Sequence, residues 1–357
     1  MNSKKIVIFS RAYQNMAGGV EKMSLDLARG LSERGHSVVI VSLDKESDTP
    51  FFEWPAAVSW IRIGIGNPDR RATILSRFRR LKAIRVIAKD IRPDFAIGFQ
   101  VGSFALLRLA TLGLGIKTVA AERNSPDLFG YIRRGKEKRF FSNLILFSAT
   151  RVAVQFESYR RKYPVWLRHK IVVTPNWVAQ IESSKTVMGA MPFQIMFIGR
   201  LTFQKNVAVL LDAMEHLPSH FQLTIIGDGP DLKSLQNRVI SLNQKIIFES
   251  PRRDLKSAYE SSGVLCMPSR WEGFPNVVAE SLAHGLPVVG FELCSGIPDL
   301  VRDGVTGIIA KGMDSHLELA EALKRASATH FTESRIKESI KIYSFQNFIN
   351  KWEDALK

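Results

Sequence analysis

Cysteine is nearly missing from this chain: there are two in 357 residues, Cys266 and Cys294, both in apolar stretches that read as strands. Two cysteines cannot build a disulfide scaffold, and buried, inert thiols in a reducing compartment are expected. Long hydrophobic runs are missing too. The N-terminal segment MNSKKIVIFSRAYQ returns to polar residues after a short apolar run, and the longest later candidate, Ala105 to Ile116, is broken by Arg108. Neither a signal peptide nor a membrane span is expected. With 24 Gly and 15 Pro the chain is too poor in both for collagen or low-complexity sequence, and 45% hydrophobic residues are too many for disorder.

Acidic residues are also in short supply, but only in one half. Residues 1–180 hold 31 Lys and Arg against 14 Asp and Glu, whereas residues 181–357 hold 19 against 20, so the first half carries the whole net charge of +16. A domain so charged meets something anionic: nucleic acid, an acidic membrane surface or a phosphate-bearing substrate.

What is present is a repeated alternation of short β-branched runs and helical patterns. Ile6 to Ser10, Ser37 to Leu43, Phe95 to Phe99, Thr118 to Ala121, Val152 to Gln155 and Ile171 to Thr174 form a first series. Ile195 to Ile198, Leu223 to Ile226, Lys245 to Phe248, Val264 to Met267, Pro287 to Phe291 and Gly307 to Ala310 form a second. Runs this apolar are strands covered on both faces, so the fold class is α/β with two doubly wound parallel sheets. The boundary falls between Pro175 and Pro192, giving domains at 1–175 and 176–343. The final segment, 344–357, sets Phe345, Phe348, Ile349, Trp352 and Leu356 on one face of a helix that docks on the core.

The densest motif is Ser269-Arg-Trp-Glu272-Gly273-Phe274-Pro275-Asn276, continuing to Glu280 and Gly285. A strand leads into a loop, Pro275 suits a first helical turn and Gly285 a C-cap, so two carboxylates flank one helix start, with Glu280 about two turns in. Carboxylates accept hydroxyl hydrogen bonds, while the amides of Gly273 to Asn276 point at an anion from the helix N-terminus. A strand ending at Gly199 puts Arg200 and Lys205 at a carboxyl edge, where bound phosphates collect. Gly18 and Gly19 follow the first strand and read as a tight turn, either approaching a phosphate or acceptor or serving the chain alone.

Glu272 and Glu280, with seven residues between them inside PSRWEGFPNVVAESLAHGLPVV, resemble the E-x7-E signature of the GT-B glycosyltransferases of family 4. Gly18-Gly19 with Glu21, Pro175-Asn176, Gly199-Arg200 to Lys205, Gly227-Asp-Gly229 and the last helix occur in the family's order. The resemblance implies two Rossmann-like domains facing a central cleft and a retaining, metal-independent enzyme. The donor it implies is a nucleotide sugar, expected to be UDP-linked, carrying a hexose or N-acetylhexosamine. Gly199, Arg200, Lys205, Gly227, Arg252, Glu272, Gly273, Phe274, Pro275, Asn276 and Glu280 are then the donor-binding set. Arg200 and Lys205 hold the diphosphate, Glu280 the ribose, and Glu272 the transferred sugar. Glu122-Arg123-Asn124 stands where many members carry a catalytic-site histidine. Arg123 replaces it, in a variant similar to bacterial transferases that build surface polysaccharides on polyprenyl carriers. The absence of any Asp-x-Asp and of zinc-spaced Cys and His agrees with an expectation of no metal. The glycine spacings do not fit a dinucleotide fingerprint. His36 and His284 read as structural.

Two basic stretches alternate with apolar residues. One runs from Arg62 to Arg92 through Arg70, Arg71, Arg77, Arg79, Arg80, Lys82 and Arg85. The other runs from Arg133 to Arg139, directly before Phe140, Phe141, Leu144 and Phe147. Gly18, Gly19, Glu122, Arg123, Asn124, Arg77, Arg80 and Arg85 are the expected acceptor or phosphate contacts. The expected partners are a polyprenyl-diphosphate-linked glycan and an anionic membrane surface, with no nucleic acid, for a peripheral protein on the cytoplasmic face. A soluble acceptor, a nucleic-acid-binding protein on the same fold, and plain solvated helices are the alternatives.

Overall fold

The computed structural model describes residues 3–14, 18–66, 73–181 and 192–357. Arg70 and Arg71 of the first basic stretch lie outside them, as do residues 182–191 of the expected boundary. The chain divides into two compact units: 1–176 together with 346–357, and 177–345.

Unit 1 is a seven-stranded parallel sheet: β1 (Lys5–Phe9), β2 (Ser37–Ser42), β3 (Ser59–Arg62), β4 (Phe95–Phe99), β5 (Lys117–Ala121), β6 (Arg151–Val154) and β7 (Ile171–Val173). Their spatial order is β3-β2-β1-β4-β5-β6-β7. The central strands are buried over almost their whole length, as crossover helices on both faces require. Between them run α1 (Gly19–Glu33), α2 (Ile74–Ile91), α3 (Gln100–Thr111), α4 (Gly135–Phe147), α5 (Glu157–Lys162) and α6 (Val165–Arg168). β3 has no apolar run to announce it; its sequence SWIR is half-buried at a sheet edge.

Unit 2 repeats the plan with six parallel strands: β8 (Phe193–Ile198), β9 (Phe221–Ile226), β10 (Ile246–Glu249), β11 (Val264–Met267), β12 (Val288–Phe291) and β13 (Gly307–Ala310), in the order β10-β9-β8-β11-β12-β13. Its helices are α7 (Val207–Met214), α8 (Leu232–Arg238), α9 (Lys256–Ser261), α10 (Asn276–Ala283), α11 (Ile297–Leu300), α12 (His316–Ala328) and α13 (Glu333–Ile340). Cys266 lies within β11, but Cys294 falls in the turn after β12; both are buried and neither is in a disulfide.

α14 (Phe345–Ala355) supplies residues 346–355 to unit 1. Its Trp352 is fully buried and tilts against Phe99 at 6.2 Å. Glu353 bonds Arg34 at 2.9 Å and approaches His36 at 3.4 Å, while the His36 Nδ1 accepts the Lys4 amide. His36 is thereby part of the seam between β1, α1 and α14. No helix among the described residues is long and apolar enough to cross a membrane.

In each sheet the strand order reverses once, between β1 and β4 and between β8 and β11. Ligands of open α/β sheets bind outside the strand carboxyl ends at such points.

Candidate functional site

Unit 2 gathers its chemistry at the β8–β11 reversal. The turn after β8 carries Gly199 to Asn206, and the loop after β11 carries Pro268 to Pro275. Lys205 donates to the Glu272 carboxylate at 2.7 Å, and Glu272 is only 5% exposed. The two residues, expected to serve phosphate and sugar separately, are thus one ion pair. A lysine ammonium has three donors, so this bond leaves others for an anion. Arg200 beside it is exposed, with no side-chain hydrogen bond or ion pair among the described residues.

The two loops are stitched together by residues with no obvious signal in the sequence. Arg270 donates its backbone amide to Gln204 O at 2.8 Å and its guanidinium to Phe203 O at 2.5 Å, and its Nε meets Asp314 at 3.2 Å. Gln204 bonds Trp271 O at 2.8 Å, and Asn206, held at φ +54°, reaches the other Asp314 oxygen at 2.6 Å. Gly227 is required by close approach, since an added Cβ would overlap the Gly199 carbonyl oxygen.

Pro275 is the N-cap of α10, and Asn276 its first residue, with half-buried Gly273 just before. Glu280 therefore lies one turn into the helix, not two. Its carboxylate accepts the Tyr259 hydroxyl at 3.1 Å, and burial, then the charge of Glu280, holds the Tyr259 hydroxyl well above its ordinary pKa. The Tyr259 ring stacks on His284 at 4.6 Å. Two members of the expected donor set sit elsewhere. Phe274 is buried and packs edge-on against Tyr343 at 5.6 Å, so its ring belongs to the core. Arg252 follows the edge strand β10, is exposed and pairs with Glu249 at 3.3 Å.

In unit 1, Gly18 is extended at φ −87° and Gly19 begins α1, so neither makes the turn that needs glycine's left-handed freedom. Glycine at 18 instead leaves room for the Glu21 carboxylate, which an added Cβ would overlap. Burial raises the Glu21 carboxyl above the usual range. Glu122 and Arg123 follow β5 and are both buried, and exposed Asn124 comes next. Glu122 accepts the Asn124 amide at 2.9 Å, and burial raises its pKa. Arg123 donates to Thr174 O and Oγ1, both at 2.7 Å, and lies over the Trp352 ring at 5.0 Å. Its Nε has no partner, and burial lowers its pKa to about 9.

The first basic stretch is divided: Arg77, Arg79, Lys82, Lys89 and Arg92 are exposed, whereas two of the expected contacts are engaged by backbone carbonyls. Arg77 is exposed, but Arg80 is buried with its Nε on Ile65 O at 2.8 Å. Arg85 caps the end of α3 through Ala110 O and Leu112 O, both at 2.9 Å. A long side chain buries its stem while its head satisfies orphan carbonyls, which a charge count cannot foresee. Exposed apolar residues accompany both stretches: Ile74, Leu75 and Phe78 on α2, and Phe140, Phe141, Leu144 and Phe147 of α4 with Val165 and Trp166 of α6, where Phe147 meets Trp166 at 5.4 Å.

With this geometry in view, residues 18–177 match the family model described as a glycosyl transferase 4-like domain, and residues 192–328 the model described as glycosyl transferases group 1. A Campylobacter jejuni protein described as GalNAc-alpha-(1->4)-GalNAc-alpha-(1->3)-diNAcBac-PP-undecaprenol alpha-1,4-N-acetyl-D-galactosaminyltransferase is 28% identical over 86% of this chain and 85% of its own. The apo lipopolysaccharide outer core galactosyltransferase WaaB is similar in fold, with TM-score 0.80, 18% identity and 99% of each chain covered. Anabaena HepE, solved in complex with UDP-glucose, is similar with TM-score 0.76, 16% identity and 99% of each chain covered.

Proposed function

Because the chain belongs to the glycosyltransferases that join a 4-like domain to a group 1 domain in the GT-B fold, we infer that it moves a hexose or N-acetylhexosamine from a UDP-sugar to a lipid-linked glycan during assembly of a bacterial surface polysaccharide. The convergence of Lys205, Glu272 and Arg200 outside β8 and β11, beside the N-terminus of α10, carries this inference. Two cations and a helix N-terminus suit a departing diphosphate, and Glu272, while holding Lys205, presents a carboxylate to the sugar hydroxyls. Glu280, oriented by Tyr259, suits a ribose diol. HepE's complex with UDP-glucose and the undecaprenol-linked acceptor named for the Campylobacter relative support the choice of donor and acceptor class.

Transfer is proposed to retain configuration, to need no metal because the protein's own cations neutralise the leaving diphosphate, and to occur on the cytoplasmic face of the membrane. Contact with an anionic membrane is assigned to α4 and α6, whose exposed aromatic residues adjoin Arg133, Arg134, Lys136 and Lys138. The decisive experiment is a donor screen read by UDP or GDP release with extracted lipid-linked acceptors. Release from a UDP-sugar that depends on the lipid fraction, persists in EDTA and is lost in Lys205→Ala is expected. Release from GDP-sugars alone, or transfer only to soluble sugars, would overturn the donor or the acceptor.

A further inference from the structure

At the carboxyl ends of β4 and β5, entirely within unit 1, a pocket of about 210 Å³ opens between the start of α3, the 122–126 loop and α4. Its walls include Gln100, Asn124, Ser142 and Tyr163, none of whose side chains makes a hydrogen bond among the described residues. Tyr163 is only 5% exposed, and its hydroxyl feels the charges of Glu122, Arg139 and Arg123. Polar side chains on a pocket wall that make no hydrogen bond among the described residues are open to the hydroxyls of a ligand. Gln100 adds a second sign. It opens α3 at φ +63°, a left-handed conformation that a glutamine adopts at a cost, and such strain gathers at binding sites.

The chemistry of the walls selects the occupant. Glu122, also in the lining, is buried and accepts the backbone amide of Asn124. The lining residues include no lysine or arginine to hold a phosphate, whereas the Glu122 carboxyl bonds a hydroxyl whether or not it is protonated. Amides and hydroxyls that both donate and accept match a ring bearing several hydroxyls. The volume lies below the roughly 300–1,000 Å³ of pockets for larger ligands, which fits one ring and excludes a nucleotide. We propose that this pocket holds one neutral sugar ring of the glycan acceptor, with Gln100, Ser142 and Tyr163 as hydrogen-bonding partners beside Glu122. The word acceptor rests on the glycosyltransferase assignment; the preference for a neutral sugar does not.

The probes are methyl glycosides of glucose, galactose and the two corresponding N-acetylhexosamines, with inorganic phosphate as the anionic control, each added to the full chain and followed by saturation-transfer NMR. At least one glycoside should respond. Tyr163→Phe keeps the ring, and Gln100→Gly relieves the strained backbone, so both variants should fold and bind UDP like the parent while weakening the glycoside response about five-fold. The proposal is overturned if no glycoside responds, if neither variant changes the response, or if phosphate displaces the glycoside. Glycoside binding without any UDP binding would leave the pocket standing and remove the donor assignment. UDP binding without a glycoside response would do the reverse.

Discussion

The two units share a plan and differ in how they treat charge. Unit 2 is nearly neutral and spends its cations in pairs: Lys205 on Glu272, Arg270 on Asp314, Arg252 on Glu249. The basic unit sends several of its cations to backbone carbonyls instead, Arg80 to Ile65, Arg85 to Ala110 and Leu112, Arg123 to Thr174, and leaves aromatic side chains exposed on α4 and α6. A half-chain excess of positive charge is therefore only in part a map of positive surface: Arg80, Arg85 and Arg123 are engaged by the backbone, while Arg77, Arg79, Lys82 and Lys136 are exposed. Some of those charges hold backbone, and the cations proposed to meet the donor, Arg200 and Lys205, lie in the half whose net charge is close to zero.

The largest break in this comparison should come from the Lys205–Glu272 pair. Glu272→Ala leaves a lysine in a mostly buried position without its partner, which costs on the order of 3 kcal/mol of stability, and turnover should fall about 100-fold or more. Lys205→Ala should cost as much in turnover. The double variant should lose less than the sum, because the two residues act as one unit. Thermal melts and kinetics of the three proteins test this, and strict additivity would dissolve the unit.

Arg200→Ala should come next and sharpen the contrast, since this side chain is exposed and holds nothing together. UDP affinity should drop by a factor of roughly 10 to 100, as for one charged hydrogen bond, with the melting temperature unchanged. A fall in stability alone would move Arg200 from binding to structure.

The exposed aromatic residues of the basic unit should respond at a membrane and nowhere else. Replacing Phe140, Phe141 and Trp166 by Ser should weaken sedimentation with vesicles containing phosphatidylglycerol and leave UDP affinity intact. Added salt should weaken the parent, because each basic residue near the surface contributes about 1 kcal/mol that ions screen. Equal binding to neutral vesicles at all salt concentrations would refute the electrostatic part.

The smallest effect expected is a slope in stability against pH. Burial raises the Glu122 carboxyl above its ordinary value, against the opposing pull of Arg123. Above the ordinary glutamate pKa, near 4.3, the folded chain keeps a proton that the unfolded chain releases, so stability declines as pH rises toward the folded value. Glu122→Gln should flatten that part of the decline in melts between about pH 4 and 7; buried Glu21, raised in the same sense, keeps its own part.

Much of the fold was legible because doubly covered strands must be apolar, and each of the twelve runs overlaps a strand of the structure. β3 escaped because Ser59-Trp-Ile-Arg62 is an edge strand with polar ends. Within the site, Glu272, Lys205 and Arg200 could be read from their places after strands, but the Lys205–Glu272 bond spans 67 residues and has no local signature. Tyr259, Arg270, Asp314, Gln100, Ser142 and Tyr163 carry no motif; only the folded chain brings them to a wall or a neighbouring loop. Phe274 stood inside the strongest motif and turned inward, since a motif fixes a loop's path and not the direction of each side chain.

One feature of the architecture bears on how the protein is made. The residues that seat Trp352 between Phe99 and Arg123 come after all of unit 2 in the chain, so a ribosome completes the second unit before it has delivered the last piece of the first. Until then the Arg123 guanidinium lacks the aromatic face it lies on, and β1 lacks the His36–Glu353 seam beside it. The neutral unit is one continuous stretch of chain, whereas the basic unit is completed only by the last dozen or so residues.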